Sequence, residues 1–409
     1  MRLENRASTN EDLKGLFLLR SGVVFLNHGS FGACPRPVFE SYQRWQRELE
    51  SQPVEFMQRR LKDLLAQTRT DLGAFLGADP DDLVLVTNAS MGLNIVARSM
   101  KLSAGDEILS TDQEYGTLDR TWDLVCEKSG AKHIRMPVSL PILGRDDVVD
   151  AVWSGVSPRT KVLFVSHITS PTGMELPVAE LIARARARGI ITIVDGAHVP
   201  GQLAVDLNAL GADFYSGNCH KWLMSPKGAG FLHARREVQD LLEPLVGGRA
   251  SRRAIEAHRS RFLIEHQYQG TRDQAAFLSV PDAIRFMETH DWDSVRSRCH
   301  ELVRYARRRM TEVTGIPGVI PDSPKWFAQM SVLPLPKCDT ATLRQRLLDD
   351  HDVEIPITAS SGMHFARISV QGYNTQSDVD ALIDGVAAIL PDVTETTRKQ
   401  RVSRSRNLG

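Results

Sequence analysis

The chain has 409 residues, 42% of them hydrophobic and 24% charged, which is enough to bury the cores of two or three structural units and to build an enzyme. Its 50 Lys and Arg balance 50 Asp and Glu, so no global field draws in nucleic acid or a membrane surface, and neither is expected as a partner. The opening MRLENRASTN has no apolar run behind it, no stretch is long enough for a membrane span, and five scattered cysteines form no C-x-x-C pair; a cytoplasmic protein with reduced thiols and no structural zinc is expected.

Residues 1–30 read as an amino-terminal arm able to pack on either of two domains. From about 60 to 235 one theme recurs: a short β-branched run ends in small or polar residues, and an amphipathic segment follows. The runs at 83–87, 162–169, 190–195, 213–217 and 229–233 predict buried strands of a mostly parallel sheet, and residues 31–275 are assigned to this large α/β domain. After 276 a long helical stretch, the run QMSVLPLP, a helix over 340–350, the run ARISV and a helix over 377–390 predict a smaller α+β domain to about 395. The remaining residues, 396–409, form a basic tail that reads as a solvated terminus.

In open α/β sheets ligands sit beyond the carboxyl ends of the strands, so the residues just after each run carry the functional argument. Lys221 follows the run at 213–217, flanked by His220 and Trp222. A lysine desolvated at the mouth of a sheet loses proton affinity and becomes a nucleophile able to form a Schiff base; the alternative is a surface lysine beside a core tryptophan. Asp195 ends the run at 190–195, either as a structural N-cap or as the partner of a protonated pyridine nitrogen, and His198 lies three residues on, in reach of the phenolic oxygen of such a ring. The segment TNAS, with Ala89 and Ser90, opens a helix whose free amides suit a phosphate, although Ser90 is also a good N-cap. Tyr115 offers a ring to stack on a flat cofactor or simply to pack, and Ser166, His167, Thr169 and Thr172 place polar atoms beyond the sheet.

Taken together, NHGSFG (27–32), TNAS, EYG, SHITSPTG, DGAH (195–198), HKW (220–222), QGTRD (269–273) and ARISVQGYNTQSDVD (366–380) resemble the class V aminotransferase family of fold-type I enzymes that use pyridoxal phosphate, and within it the isopenicillin N epimerase-like proteins. The resemblance runs in one order over nearly the whole chain. It implies a seven-stranded-type, mostly parallel sheet and a homodimer with shared active sites. It further implies Lys221 bonded to the cofactor, Asp195 on the ring nitrogen, Tyr115 stacking, and Ala89, Ser90, Thr169 and His220 around the cofactor. Gly270 and Thr271 would reach the phosphate in the partner subunit, Arg367 would bind the carboxylate of an amino-acid-type substrate, and His28 and Ser30 would line the substrate side.

These residues lead to chemistry at Cα of an amino acid without choosing its outcome. An epimerase-like enzyme of specialised metabolism is the first reading, and a C–S lyase or decarboxylating deaminase acting on an S-cysteine conjugate is the second. Cysteine desulfurase chemistry is disfavoured because 354–366 carries no cysteine ahead of Arg367, and a catalytically inert interaction protein is disfavoured by the presence of both Lys221 and Asp195. No H-E-x-x-H, P-loop or G-x-S-x-G pattern occurs, so metalloprotease, nucleotide hydrolase and α/β-hydrolase readings are dropped, and no metal is expected.

Overall fold

The computed structural model describes residues 10–247, 260–360 and 362–394. A short strand, β1 (Val24–Phe25), precedes the main sheet, which is built from β2 (Leu83–Val86), β3 (Glu107–Thr111), β4 (Lys132–Met136), β5 (Thr160–Ser166), β6 (Ile191–Gly196), β7 (Phe214–Asn218) and β8 (Gly230–Ala234). Their spatial order is β2-β8-β7-β6-β5-β3-β4. β8 runs antiparallel to both of its neighbours, and every other pair is parallel. The sheet is thus the mostly parallel one expected.

The continuous apolar runs have a direct cause, because alternate residues of each strand enter different cores. Leu83, Leu85, Leu163, Val165, Val194 and Phe231 pack on one face, while Val84, Val86, Val162, Phe164, Ile193 and Leu232 pack on the other. A sheet covered on both sides leaves no polar face to alternate. β3 and β4, which the sequence reading did not single out, depart from that pattern. β3 opens on Glu107, whose carboxylate is held by Ser157 and Arg159, and β4 is an edge strand whose Lys132 and Arg135 are turned to solvent.

The carboxyl-terminal part carries a second sheet, antiparallel, of order β11-β12-β9, from β9 (Met330–Leu335), β11 (Ile357–Ser360) and β12 (Met363–Ser369), with β10 (Val353–Glu354) preceding the hairpin. The helical stretch expected as one unit is two helices, Val280–Thr289 and Trp292–Thr314, separated where Asp291 adopts a left-handed conformation at φ 49°. The helix Gln376–Val393 opens with a reciprocal capping box between Thr375 and Asp378.

The amino-terminal arm, which the sequence left free to join either domain, is tied to the carboxyl-terminal part. β1 pairs in parallel with β10, and Asn27 bridges to Ser369. This carries residues 28–32 across to the mouth of the large sheet. The basic tail expected at 396–409 lies outside the described residues. Among the described residues no helix is long and apolar enough to cross a membrane, and no group of three or more His, Cys, Asp or Glu is arranged to hold a metal ion.

Candidate active site

Strand register sets the site. Ser166 of β5 is paired with Asp195 of β6, and Asp195 with Ser216 of β7, so the carboxyl ends of three parallel strands stop at one level. The chain leaves β7 at Asn218 and turns sharply, which places Lys221 over those strand ends. Two hydrogen bonds hold this turn by the Lys221 carbonyl: the Met224 amide donates at 3.1 Å and the His28 Nε2 at 3.0 Å. Gly32 makes the approach of the arm possible. At φ 71° it passes so close that a Cβ would stand 2.2 Å from the His220 carbonyl oxygen, which no other residue tolerates.

Between the arm, the strand ends and β12 lies a cavity of about 430 Å³. Lys221 lines it, with Nζ 3.1 Å from His198 Nε2. Burial pulls the Lys221 pKa down to about 8, against the opposing attraction of Asp195, so about a tenth of the amine is unprotonated at pH 7 and half at pH 8. Asp195 is 4% exposed, and burial pushes its carboxyl up to about 6. Its one protein hydrogen bond among the described residues comes from the Ala197 amide to Oδ1, which leaves a buried carboxylate in want of a cation. His198 is buried and held neutral by desolvation and then by the nearby charges of Lys221 and Arg367.

On the opposite wall Arg367 is 8% exposed and has no carboxylate within ion-pair reach among the described residues. It donates from Nη1 to the Ser170 carbonyl at 2.5 Å and to Ser170 Oγ at 3.5 Å, and from Nη2 to Ser30 Oγ at 3.0 Å, while its buried Nε has no partner among the described residues. Burial lowers its pKa to about 10, which still leaves it cationic at neutral pH. An unpaired buried guanidinium facing a cavity fits an anion, and its planar fork fits a carboxylate.

At the amino end of the helix Ala89–Ser99, Asn88 caps the Met91 amide at 2.8 Å, and Asn218 Oδ1 accepts from the Ala89 amide at 2.8 Å. Asn218 therefore keeps its amide hydrogens for the cavity, which it lines together with Ser90 and His220. His220 donates from Nδ1 to the Ala229 carbonyl at 2.8 Å and is kept largely neutral by burial, at a pKa of about 4. Tyr115, 42% exposed, stands at the rim. Behind the strand ends Glu114 accepts from Thr111 and Ser166 hydroxyls at 2.6 Å each, and burial raises its pKa to about 7.

The match to known proteins extends beyond this cavity, since the family model for aminotransferase class-V covers residues 25–382. The chain belongs to the class V aminotransferases. Among relatives of this class V chain, an isopenicillin N epimerase of Amycolatopsis lactamdurans is 37% identical over 381 residues, covering 90% of this chain and 95% of the relative. A putative L-cysteine desulfhydrase of Oryza sativa subsp. japonica is 29% identical over 416 residues, covering 91% and 84%. The crystal structure of the cysteine desulfurase CsdA from Escherichia coli superimposes with a TM-score of 0.80 at 22% identity, covering 95% of this chain and 100% of that one, which is a likeness of fold. This class V protein is a pyridoxal phosphate-dependent enzyme, and the cavity fits the cofactor: a desolvated amine, a buried carboxylate without a cation and a set of amide, hydroxyl and imidazole groups at a helix start.

Lys221, Asp195, His198, Ser90, Tyr115, His220, Ser30 and Arg367 are brought together as the sequence reading expected. Three candidates do not line the cavity. His28 is fully buried and holds the Lys221 carbonyl from behind, with Nδ1 2.9 Å from the Tyr373 hydroxyl, so it supports the lysine turn and does not line the substrate side. Thr169 spends its hydroxyl on Thr172 and on the Met174 amide, closing its own loop away from the cavity. The Ala89 amide is already taken by Asn218, which removes it as a phosphate donor. Gly270 and Thr271, expected at the phosphate site of the partner subunit, do not line the cavity of their own protomer, and Gly270 lines a separate surface groove. Asn218 and Ser170 were missed; an Asn closing a strand and a Ser in a Pro-containing loop carry no periodic signal. No cysteine lines the cavity among the described residues; Cys219 is buried behind the lysine, and burial raises the Cys338 thiol to about 11.

Proposed function

We propose that this enzyme removes and replaces a proton at Cα of an amino acid or amino-acid-bearing substrate, in the manner of the isopenicillin N epimerases it resembles, within specialised cytoplasmic metabolism. The observation that carries the reading is that Arg367, without a carboxylate partner among the described residues, lines one cavity with Lys221. Pyridoxal phosphate, when bound, supplies an electron sink for charge developing at Cα. The Arg367 fork holds the substrate carboxylate and so orients Cα toward Lys221. Lys221, with its lowered pKa, accepts the Cα proton on its own face of the substrate, and inversion then requires a proton delivered to the opposite face. Asp195, ionised above about pH 6, keeps the proton on the pyridine nitrogen. Ser90, Asn218 and His220 hold the phosphate end, and Tyr115 covers the ring.

The enzyme works as a homodimer in this reading, with Gly270 and Thr271 of the partner subunit closing the phosphate site. The large domain spans 31–275 and the smaller one begins at about 276, with the arm joined to the latter. A second reading, β-elimination from an S-cysteine conjugate, is favoured by the L-cysteine desulfhydrase relative. Incubation of the holoenzyme in deuterated water with L- and D-amino acids and S-substituted cysteines separates them. Deuterium at Cα together with appearance of the opposite configuration supports epimerisation, and release of pyruvate or another keto acid supports lyase or deaminase chemistry. If no substrate in the panel shows exchange or breakdown, the proposal is overturned.

A further inference from the structure

The ring of His198 is gripped on both sides. The indole Nε1 of Trp222 stands 3.2 Å from His198 Nδ1, and Lys221 Nζ stands 3.1 Å from His198 Nε2. An indole nitrogen can only donate, so His198 Nδ1 has to be the lone-pair nitrogen, and a neutral ring then carries its proton on Nε2. Trp222 has no freedom to relax this arrangement. It is fully buried, it stacks at a tilt on His28 with centroids 5.1 Å apart, and its backbone lies so close to Gly201 that a Cβ there would sit 2.4 Å from the Trp222 carbonyl carbon. His198 is anchored in turn through its carbonyl, which accepts from Gln202 Nε2 at 2.7 Å.

We propose that Trp222 is a positioning residue that locks His198 in the Nε2–H tautomer, so that His198 presents a hydrogen-bond donor, and never a proton acceptor, to Lys221 and to the cofactor. This rests on the reading that pyridoxal phosphate occupies the cavity. Two consequences follow from the geometry. A ring whose Nδ1 is tied to the indole and whose Nε2 already carries hydrogen cannot take the Cα proton, which leaves that task to Lys221. A fixed N–H beside the lysine also opposes protonation of the lysine, because an ammonium would have no acceptor there; it adds to the burial that lowers the Lys221 pKa. The charged groups that bear on the ring are Lys221 on one side and Arg367 from β12 on another, while Asp195, from the strand that leads into His198, bears on Lys221.

The test replaces one atom. Trp222 is exchanged for β-(3-benzothienyl)alanine, which keeps the shape and swaps the N–H for sulfur, with Trp222→Phe as a second variant. Apoprotein labelled with nitrogen-15 in its histidines is followed by NMR across Lys221 titration, the His198 signals being assigned by their loss in His198→Asn. The wild type is expected to keep a pyridine-type Nδ1 and a protonated Nε2 throughout. In the isostere the Nδ1–H form is expected to appear as Lys221 becomes an ammonium that donates to Nε2. In the holoenzyme, the pH midpoint of the cofactor's visible spectral change is expected to rise by roughly one unit, a tenfold shift in proton affinity. A wild-type Nδ1–H ring, or an isostere with the same single tautomer and the same midpoint, overturns the proposal. The apoprotein arm needs no cofactor, so a wild type that binds no pyridoxal phosphate defeats the cofactor reading while the tautomer result still decides the role of Trp222.

Discussion

Replacement of Arg367 separates carboxylate recognition from the rest of the site. A guanidinium has five N–H donors; Nη1 is engaged by the Ser170 carbonyl and, at 3.5 Å, by Ser170 Oγ, and Nη2 gives one hydrogen to Ser30, so the Nε hydrogen and one on Nη2 are without a partner among the described residues. Two charge-assisted hydrogen bonds to a carboxylate at about 1.5–3 kcal/mol each amount to about 3–6 kcal/mol, and burial protects them from screening. Arg367→Met should therefore weaken amino-acid binding by roughly 10²- to 10⁴-fold, and Arg367→Lys, which keeps the charge and loses the fork, should fall between. The assay is titration of the holoenzyme's visible absorption with amino acids and with the matching decarboxylated amines. The wild type should prefer the amino acid, and Arg367→Met should bind acid and amine alike while binding the amine as the wild type does. If the variant keeps its preference for the carboxylate, or loses the amine equally, Arg367 is a structural cation and the orientation argument fails.

Lys221 should also leave a signature in stability. Its pKa in the folded apoprotein is depressed from 10.5 to about 8, so its stability contribution is fully present above 10.5 and is lost as pH falls through 8. The difference in unfolding free energy between wild type and Lys221→Met apoprotein should grow by up to about 3 kcal/mol from pH 8 to above 10.5, measured by denaturant titration; parallel curves would contradict the depressed pKa. Cys338→Ala should keep activity within about twofold, since its thiol is held protonated and does not line the cavity; a tenfold loss in a folded variant would restore a persulfide route. Mixing equal amounts of Lys221→Ala and Thr271→Ala subunits should regenerate one intact site per hybrid dimer, and so about a quarter of the wild-type activity in a random mixture, whereas no recovery would place Thr271 in its own protomer's site.

What was legible in the chain followed from burial. β2, β5, β6, β7 and β8 stand out because both faces of the sheet are covered, which forces continuous apolar runs, while β3 opens on an acid and β4 is a polar edge, so neither carries that signal. Lys221, Asp195 and His198 were readable because chemistry in such a sheet collects at strand ends, and their register brings them together. Contacts between distant segments were not readable. The arm's choice of the carboxyl-terminal part depends on a two-residue strand pair, the role of His28 depends on reaching a carbonyl 193 positions away, and the Trp222 to His198 bond depends on which edge of the indole faces the ring. The family resemblance placed His28 on the substrate side, and Trp222 entered only as a bulky neighbour of Lys221.

The central claim is that Lys221 holds pyridoxal phosphate in this cavity. Borohydride reduction of the purified holoenzyme, followed by digestion and peptide mass analysis, tests it most directly. One reduced cofactor should be found on the peptide that contains Lys221, and none on the Lys221→Ala protein. Cofactor fixed to a different lysine, or wild-type protein that takes up none after incubation with pyridoxal phosphate, would contradict the account.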